Sequence, residues 1–339
     1  MAQNGWTRRQ TLWLLTGTAT SLTLHACTQP AQTGAGTATK KASMGVEGWI
    51  GFTPLFIALE KGFYKEFGVD LNAPMFKSGS DSQPAFVSGQ IDGLGAVSSS
   101  TVVLAAKGKN LQVVMVEDLS LGADGILARN SISDIKDFKG KTIAVETDGV
   151  SHFFLLQVLA DAGLTDKDVE LINVTPDAAA AAYQSGKVDI AVTYMPYLGK
   201  ASAAQKDGRV IFDSSKKPTA IADLYVFDRQ FIEANPSTVE GFIRGTFKGL
   251  DYLNNNRTDG LAIAAKKLQI TPEELDEQLK GIKLPNLAEN IEMLSNLQSS
   301  QYIGKPLETL AKFLKDHGKI DKTPDVATII EPKFVKSIA

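Results

Sequence analysis

The sequence predicts an α/β protein of two similar lobes with a hinge between them, each lobe a mostly parallel sheet flanked by helices. Three observations carry that expectation. Short apolar runs alternate with helical patterns through residues 45–194, as sheets with crossover helices require. Two parts of this region echo one another at a spacing of about 100 positions, too long for a solenoid repeat and suited to duplicated lobes. Gly62-Phe-Tyr-Lys-Glu-Phe-Gly-Val-Asp-Leu71 matches Ala162-Gly-Leu-Thr-Asp-Lys-Asp-Val-Glu-Leu171 in outline, and Ser88-Gly-Gln-Ile-Asp92 matches Ser185-Gly-Lys-Val-Asp189. The last third of the chain, in contrast, is mostly helical in pattern.

The elements follow in order. Residues 45–52 read as a strand. Residues 54–67 read as a helix, because Leu55, Ala58, Leu59 and Phe63 recur at helical spacing and Gly68 follows as a C′ glycine. Strands are expected at 69–76, 91–97 and 111–116, with helices at 83–88 and 100–107 between them. The alternation resumes with strands at 142–146, 169–174 and 188–194 and helices at 151–162 and 178–184. Further helices are expected at 235–255, 260–268, 272–280, 288–297 and 305–317. Pro236 after Asn235, and Thr271-Pro272-Glu273-Glu274, mark two of their starts. These helices are expected to cover the back of the first lobe.

The N-terminus reads as a targeting signal. Thr7-Arg8-Arg9 precedes a weakly apolar run over 11–24, and Leu24-His25-Ala26-Cys27 ends it. That order describes a secretory signal over 1–27 with a resemblance to a lipobox and a twin-arginine flavour. Cys27, the single cysteine, is the expected lipid attachment point. The run is short of the about 20 apolar residues that a membrane span needs. Residues 28–43, small and polar, read as a flexible tether. With no cysteine left for the body, no disulfide is expected in the mature fold. The whole chain has 43% hydrophobic and 22% charged residues and a net charge of −3. That is an ordinary soluble balance, with no basic surplus to suggest a nucleic-acid partner.

In open α/β sheets, ligands bind beyond the carboxyl ends of the strands. Two facing lobes would enclose a ligand between two sets of strand ends and close on it by a hinge. The polar and aromatic residues at those ends are the candidates. The first lobe offers Glu47, Trp49, Ser78 and Asp81, then Ser98, Ser99 and Asp118. The second offers Glu146, Ser151, His152 and Tyr194, with Asp223 near the return crossing. Taken singly, the serines, with Ser100 beside Ser98 and Ser99, and the aspartates could be helix caps and Trp49 a core residue. Together they fall at one edge of both sheets.

At this point the chain resembles a known family. Gly48-Trp-Ile-Gly-Phe-Thr-Pro-Leu-Phe-Ile-Ala-Leu-Glu-Lys-Gly-Phe-Tyr-Lys-Glu-Phe-Gly-Val-Asp-Leu71 is similar to the opening of the nitrate, sulfonate, taurine and thiamine-precursor class of periplasmic solute-binding proteins. The resemblance continues through Asp118-Leu-Ser-Leu-Gly-Ala-Asp-Gly-Ile126, Ile135-Lys-Asp-Phe-Lys-Gly-Lys-Thr-Ile-Ala-Val145 and Val188-Asp-Ile-Ala-Val-Thr-Tyr-Met-Pro196. It implies the two-lobed periplasmic-binding-protein fold of type II. Lobe one would comprise 44–125 plus 224–339 and lobe two 126–223, with the chain crossing near 124–128 and 222–227. It implies a bacterial, monomeric receptor, held by its lipid at the outer face of the cytoplasmic membrane, that hands a small solute to the permease and ATPase subunits of an ABC importer. Where many relatives carry Trp, this chain has Tyr194.

Charge bears on the ligand. Between Gly45 and Asp228 the only arginines are Arg129 and Arg209, neither at a predicted strand end, whereas carboxylates there are plentiful. An unpaired anion among converging carboxylates is costly. The expected ligand is therefore a small nitrogenous solute, cationic or amine-rich, such as guanidinium, an amidine or a pyrimidine. Trp49 and Tyr194 would face the cation. The alternative is an aliphatic sulfonate, taurine or another small anion, held by serines and helix N-termini. An enzyme resembling the thiamine-pyrimidine synthase, or a ligand sensor, is the reading of another class. No catalytic residue, cofactor or metal site is expected: Cys27 belongs to the anchor, and only His152 of the three histidines lies near the cleft.

Overall fold

The structure, a computed structural model, describes residues 39–339. The signal segment, Cys27 and most of the expected tether lie outside the described residues. The chain begins with β1 (Lys40–Gly45), α1 (Thr53–Lys61), α2 (Phe63–Glu66), β2 (Val69–Asn72), α3 (Gly79–Val87), β3 (Gly93–Val97), α4 (Ser98–Ala106) and β4 (Leu111–Ser120). It continues through β5 (Asp124–Arg129), β6 (Thr142–Val145), α5 (Val150–Asp161), β7 (Glu170–Asn173), α6 (Pro176–Gln184), β8 (Ile190–Tyr194), α7 (Tyr197–Ala204) and β9 (Gly208–Asp213). It returns in β10 (Ala222–Asp228), and the helical third holds α8 (Arg229–Ala234), α9 (Pro236–Asn255), α10 (Arg257–Leu268), α11 (Pro272–Gln278), β11 (Ile282–Lys283), α12 (Leu287–Ser295), α13 (Gly304–Asp316) and α14 (Lys333–Ser337).

Two sheets form, in the orders β11-β4-β10-β3-β1-β2 and β7-β6-β8-β5-β9. Their parallel cores are β1 between β2 and β3, and β6 between β7 and β8. The pairing is more mixed than expected. In the first sheet β10 lies antiparallel between β3 and β4, and β11 pairs antiparallel with β4. In the second, β5 lies antiparallel between β8 and β9. β5, β9 and β10 were not anticipated as strands. β5 and β10 follow a crossing of the chain from one sheet to the other, so no crossover helix leads into them and they run against their neighbours.

The first strand is also displaced. It was expected at 45–52 but spans Lys40–Gly45, beginning within the segment read as tether, while Ile50–Phe52 forms a 3-10 turn. Two forces place it there. Ala42 and Met44 alternate into the core, and pairing with β2 and β3 on either side satisfies the backbone. The helix expected at 54–67 breaks at Gly62, whose φ of 73° ends α1.

The chain passes from the first sheet to the second between Ser120 and Asp124 and back between Asp213 and Ala222. Ser214 ties the two passages together. Its hydroxyl lies 2.7 Å from that of Ser120 and accepts from the Gly122 N–H at 2.7 Å. A third segment joins them, where the Leu121 N–H donates to the Gly281 carbonyl at 2.7 Å.

The helical third packs on the first sheet, with α9 against α1 and α2. Asn290 of α12 stands in for a missing strand neighbour. Its fully buried amide accepts from the Val116 N–H at 2.7 Å and donates to the Val116 carbonyl at 3.1 Å. Among the described residues no helix is long and apolar enough to cross a membrane.

Candidate functional site

The strand ends of both sheets meet at one cavity, with an empty volume of about 570 Å³ when its open mouth is included. Just past β1 the chain leaves the sheet and presents Glu47 and Trp49. Glu146 follows the end of β6 and β8 ends at Tyr194, while the antiparallel β5 and β10 present Asp124 and Asp223 from their starts. α3 adds Ser82 and Gln83, and α4 adds Ser100. No lysine or arginine is among the lining residues.

Trp49 forms the aromatic wall with Tyr194, edge to face, with ring centroids 5.7 Å apart and planes at 89°. The indole is anchored from behind, its Nε1–H donating to Asp118 Oδ2 at 2.7 Å in a fully buried bond. Gly51 makes this possible, since a Cβ there would stand 1.8 Å from Asp118 Oδ2 and 2.4 Å from Trp49 Nε1. Asp118 was expected to touch the ligand. It is 0% exposed, does not line the cavity and holds Trp49 instead.

The lining acids sit in a low-dielectric setting. Burial pushes Glu47 up to about 8, against the opposing hydrogen bond from Ser82, and Glu146 and Asp81 push it further. The Ser82 hydroxyl donates to Glu47 Oε1 at 3.0 Å. Burial raises Asp124 to about 7, opposed by Ser120. Behind the wall, burial raises Asp118 to about 8, opposed by its bond to Trp49 and reinforced by Asp124. Asp223 and the neighbouring Glu117 stand well above the usual carboxylate range, from burial first and from nearby acids second. Ionising any of these groups without a cation nearby is unfavourable.

Five of the expected ligand residues line the cavity together: Glu47, Trp49, Glu146, Tyr194 and Asp223. Asp118, Ser78, Asp81, Ser98, Ser99, Ser151 and His152 do not. Ser78 is buried before α3, and Asp81 points its exposed side chain to solvent. Ser98 accepts from the Ala222 N–H at 3.4 Å, while the hydroxyls of Ser99 and Ser151 are buried without a partner. His152 packs on Phe153 and shapes the turn after β6. Its Nδ1 accepts from the Asp148 N–H at 2.9 Å, which leaves the ring proton on Nε2 and holds Asp148 at φ 61°. Burial first, then Lys319, lowers the His152 pKa and favours the neutral ring.

Among the residues that sequence reasoning omitted from the site are Ser82, Gln83 and Asp124, with Phe52 and Gly95 on the apolar side, while Ser100, named with Ser98 and Ser99 at their strand end, does line it. Asp124 was hidden because β5 was not recognised as a strand. Ser82 and Gln83 lie within a helix, and only its packing against β3 brings Ser82 to Glu47 and Gln83 to Ser100. Among the described residues, no group of three His, Cys, Asp or Glu side chains is arranged to hold a metal ion.

The comparisons with known proteins agree on the fold. The chain is 27% identical over 290 residues to the taurine-binding periplasmic protein of Escherichia coli K12, covering 81% of this chain and 86% of that one. It is 26% identical over 291 residues to a putative aliphatic sulfonates-binding protein of Bacillus subtilis 168, covering 84% of each. Its structure is similar to that of the periplasmic aliphatic sulphonate binding protein SsuA of Escherichia coli. That match has a TM-score of 0.70 at 21% identity and covers 88% of this chain and 99% of that one. The sequence pattern of the NMT1/THI5 like family matches residues 49–259, well over half of the chain. With its two lobes, mixed sheets and a cavity between them, the chain belongs to the NMT1/THI5-like family.

Proposed function

We propose that this protein is the extracytoplasmic solute receptor of an ABC importer, and that its cavity takes a small nitrogenous solute, cationic or amine-rich. One observation carries the ligand reading. Glu47, Asp124, Glu146 and Asp223 converge on the cavity, and no lysine or arginine lines it. A guanidinium, amidine or small amine would pair with the acids, and the faces of Trp49 and Tyr194 would add a cation–π contribution of about 2 kcal/mol in a desolvated site. The first lobe would comprise 44–125 plus 224–339, the second 126–223, and Cys27 would carry the lipid that holds a monomeric receptor near its permease and ATPase. Binding rather than catalysis fits the cavity, whose lining offers neither Cys nor His.

The comparisons favour a second reading, an aliphatic sulfonate. Two relatives are named for taurine and for aliphatic sulfonates. The starts of α3, α4 and α5 also supply lining residues: Gly79, Val97 and Val150. Helix N-termini attract oxyanions. Taurine carries an ammonium as well as a sulfonate, so acids that repel one end would pair with the other. The test is a thermal-shift screen of the full chain against guanidinium, small amines, pyrimidines, taurine, ethanesulfonate and nitrate. A ligand at a hundredfold excess over its dissociation constant adds about 2.7 kcal/mol. Stabilisation by ethanesulfonate and not by guanidinium or amines would overturn the first reading. No response to any of these solutes would count against both.

A further inference from the structure

Beyond the outlying Lys319–Asp166 ion pair at 3.1 Å, two of the contacts that join the lobes stand at the cavity itself, and they differ in kind. Trp49 and Tyr194 meet as uncharged rings. Glu146, in contrast, brings a carboxylate from the end of β6, on the second sheet, to the first turn of α3, which packs on the first. Its Oε1 accepts from the Ser80 N–H at 3.3 Å and from the Ser80 hydroxyl. The side chain is 4% exposed, and Gly149 leaves it room, since a Cβ there would lie 2.7 Å from Oε2.

The first turn of α3 needs an acceptor, because the opening N–H groups of a helix have no partner within it. Ser78 at the N-cap position provides no side-chain bond. Glu146 supplies the acceptor from the opposite lobe. The neighbouring Ser82 hydroxyl is engaged by Glu47 at 3.0 Å. Three donors of this turn that an incoming oxyanion could use, the Ser80 N–H and the hydroxyls of Ser80 and Ser82, are thus already held by two acids of the protein.

We infer that Glu146 is both a latch between the lobes and a filter against anions: it caps α3 across the cleft and, by holding those donors, denies them to a negatively charged solute. This rests on the cavity being the solute site, and it makes Glu146 a specificity-determining residue. Other charged groups near the latch are Glu47 and Asp81, both acidic, so they reinforce the filter.

The test uses the full chain with Cys27→Ser, and spin labels at Lys107→Cys and Lys187→Cys, exposed positions flanking the first and second sheets. Distances between labels are read without any solute, in the parent, Glu146→Ala, Glu146→Gln and Ser80→Ala. The latch predicts a longer, broader distribution in Glu146→Ala. A smaller change is expected in Ser80→Ala, which keeps the backbone donor, and in Glu146→Gln, which keeps an acceptor. Ser80 is exposed, so its variant guards against a folding defect at Glu146. Unchanged distances in both Glu146→Ala and Ser80→Ala overturn the latch, whatever solute the cavity takes. Ethanesulfonate titrations then read the filter. Glu146→Ala should bind it at least about tenfold more tightly than the parent, a difference of about 1.4 kcal/mol, and Glu146→Gln, which still occupies the Ser80 donors, should gain less. Equal or weaker binding in Glu146→Ala overturns the filter.

Discussion

The pH dependence of binding tests the sign of the ligand's charge directly. Glu47 lies up to about 8 and Asp124 at about 7, both lifted chiefly by burial. At pH 6 Glu47 is therefore two units below its pKa, with about one side chain in a hundred ionised. A cation docked against that carboxylate has to displace its proton, and affinity then rises about tenfold per pH unit for each proton released. From pH 6 to pH 8, Glu47 alone yields about fiftyfold, about 2.3 kcal/mol, because the slope flattens as the pKa is reached. Asp124 steepens the lower half of that range. An anion has the opposite dependence, because it favours the protonated acids and loses affinity as they ionise. Isothermal titration with guanidinium at pH 5.5 to 8.5, in two buffers of different ionisation enthalpy, gives both the slope and the number of protons released. Guanidinium affinity that is flat or falls between pH 6 and 8 would refute the reasoning. A parallel titration with ethanesulfonate, which has no amine, should fall over the same range.

The remaining predictions concern stability and the anchor. Without ligand, Glu47, Asp118 and Asp124 keep their protons in the folded state at pH values where the unfolded chain has lost them. Stability should therefore fall as pH rises from about 5 to 8. His152, lowered by burial, acts the other way but is one group against several; a urea midpoint that rises over this window would contradict the assignment. Asn290→Leu should cost about 2 to 4 kcal/mol, because it leaves the N–H and the carbonyl of Val116 buried and unpaired. A loss under about 1 kcal/mol in urea unfolding would show that water replaces the amide. Gly51→Ala puts a methyl 1.8 Å from Asp118 Oδ2 and should destabilise by about 1 to 3 kcal/mol while disturbing the fluorescence of Trp49. An unchanged midpoint and spectrum would refute the packing argument. Cys27→Ser should abolish metabolic lipid labelling of the chain; labelling that persists would end the lipoprotein reading.

Much of the site was legible because strand-end residues announce themselves. Glu47, Trp49, Glu146 and Tyr194 follow or close apolar runs, and all four line the cavity. Asp118 satisfied the same rule and went elsewhere. Whether a carboxylate at a strand end faces a ligand or a neighbouring indole depends on how the next turn packs, and Gly51 decides that in favour of Trp49. Ser151 and His152 were misplaced for a related reason. They open a helix that begins at the cavity, but its rotation turns them into the protein while Gly149 and Val150 face the site.

The amino-acid sequence by itself determined the α/β alternation, the duplicated lobes, the helical third and the lack of basic residues at the predicted strand ends. These properties reside in local periodicity, in glycine and proline positions and in composition, none of which needs a neighbour distant in the chain. Only the tertiary structure decided that β5 and β10 run against their sheets, that Lys40–Gly45 is a strand between β2 and β3, and that Asp124 joins Glu47 at one cavity. It also decided that Glu146 reaches across to cap α3. Each of these depends on pairing or burial between segments far apart in the chain. The energy of a buried carboxylate is set by the groups that surround it in space, and those come from both lobes.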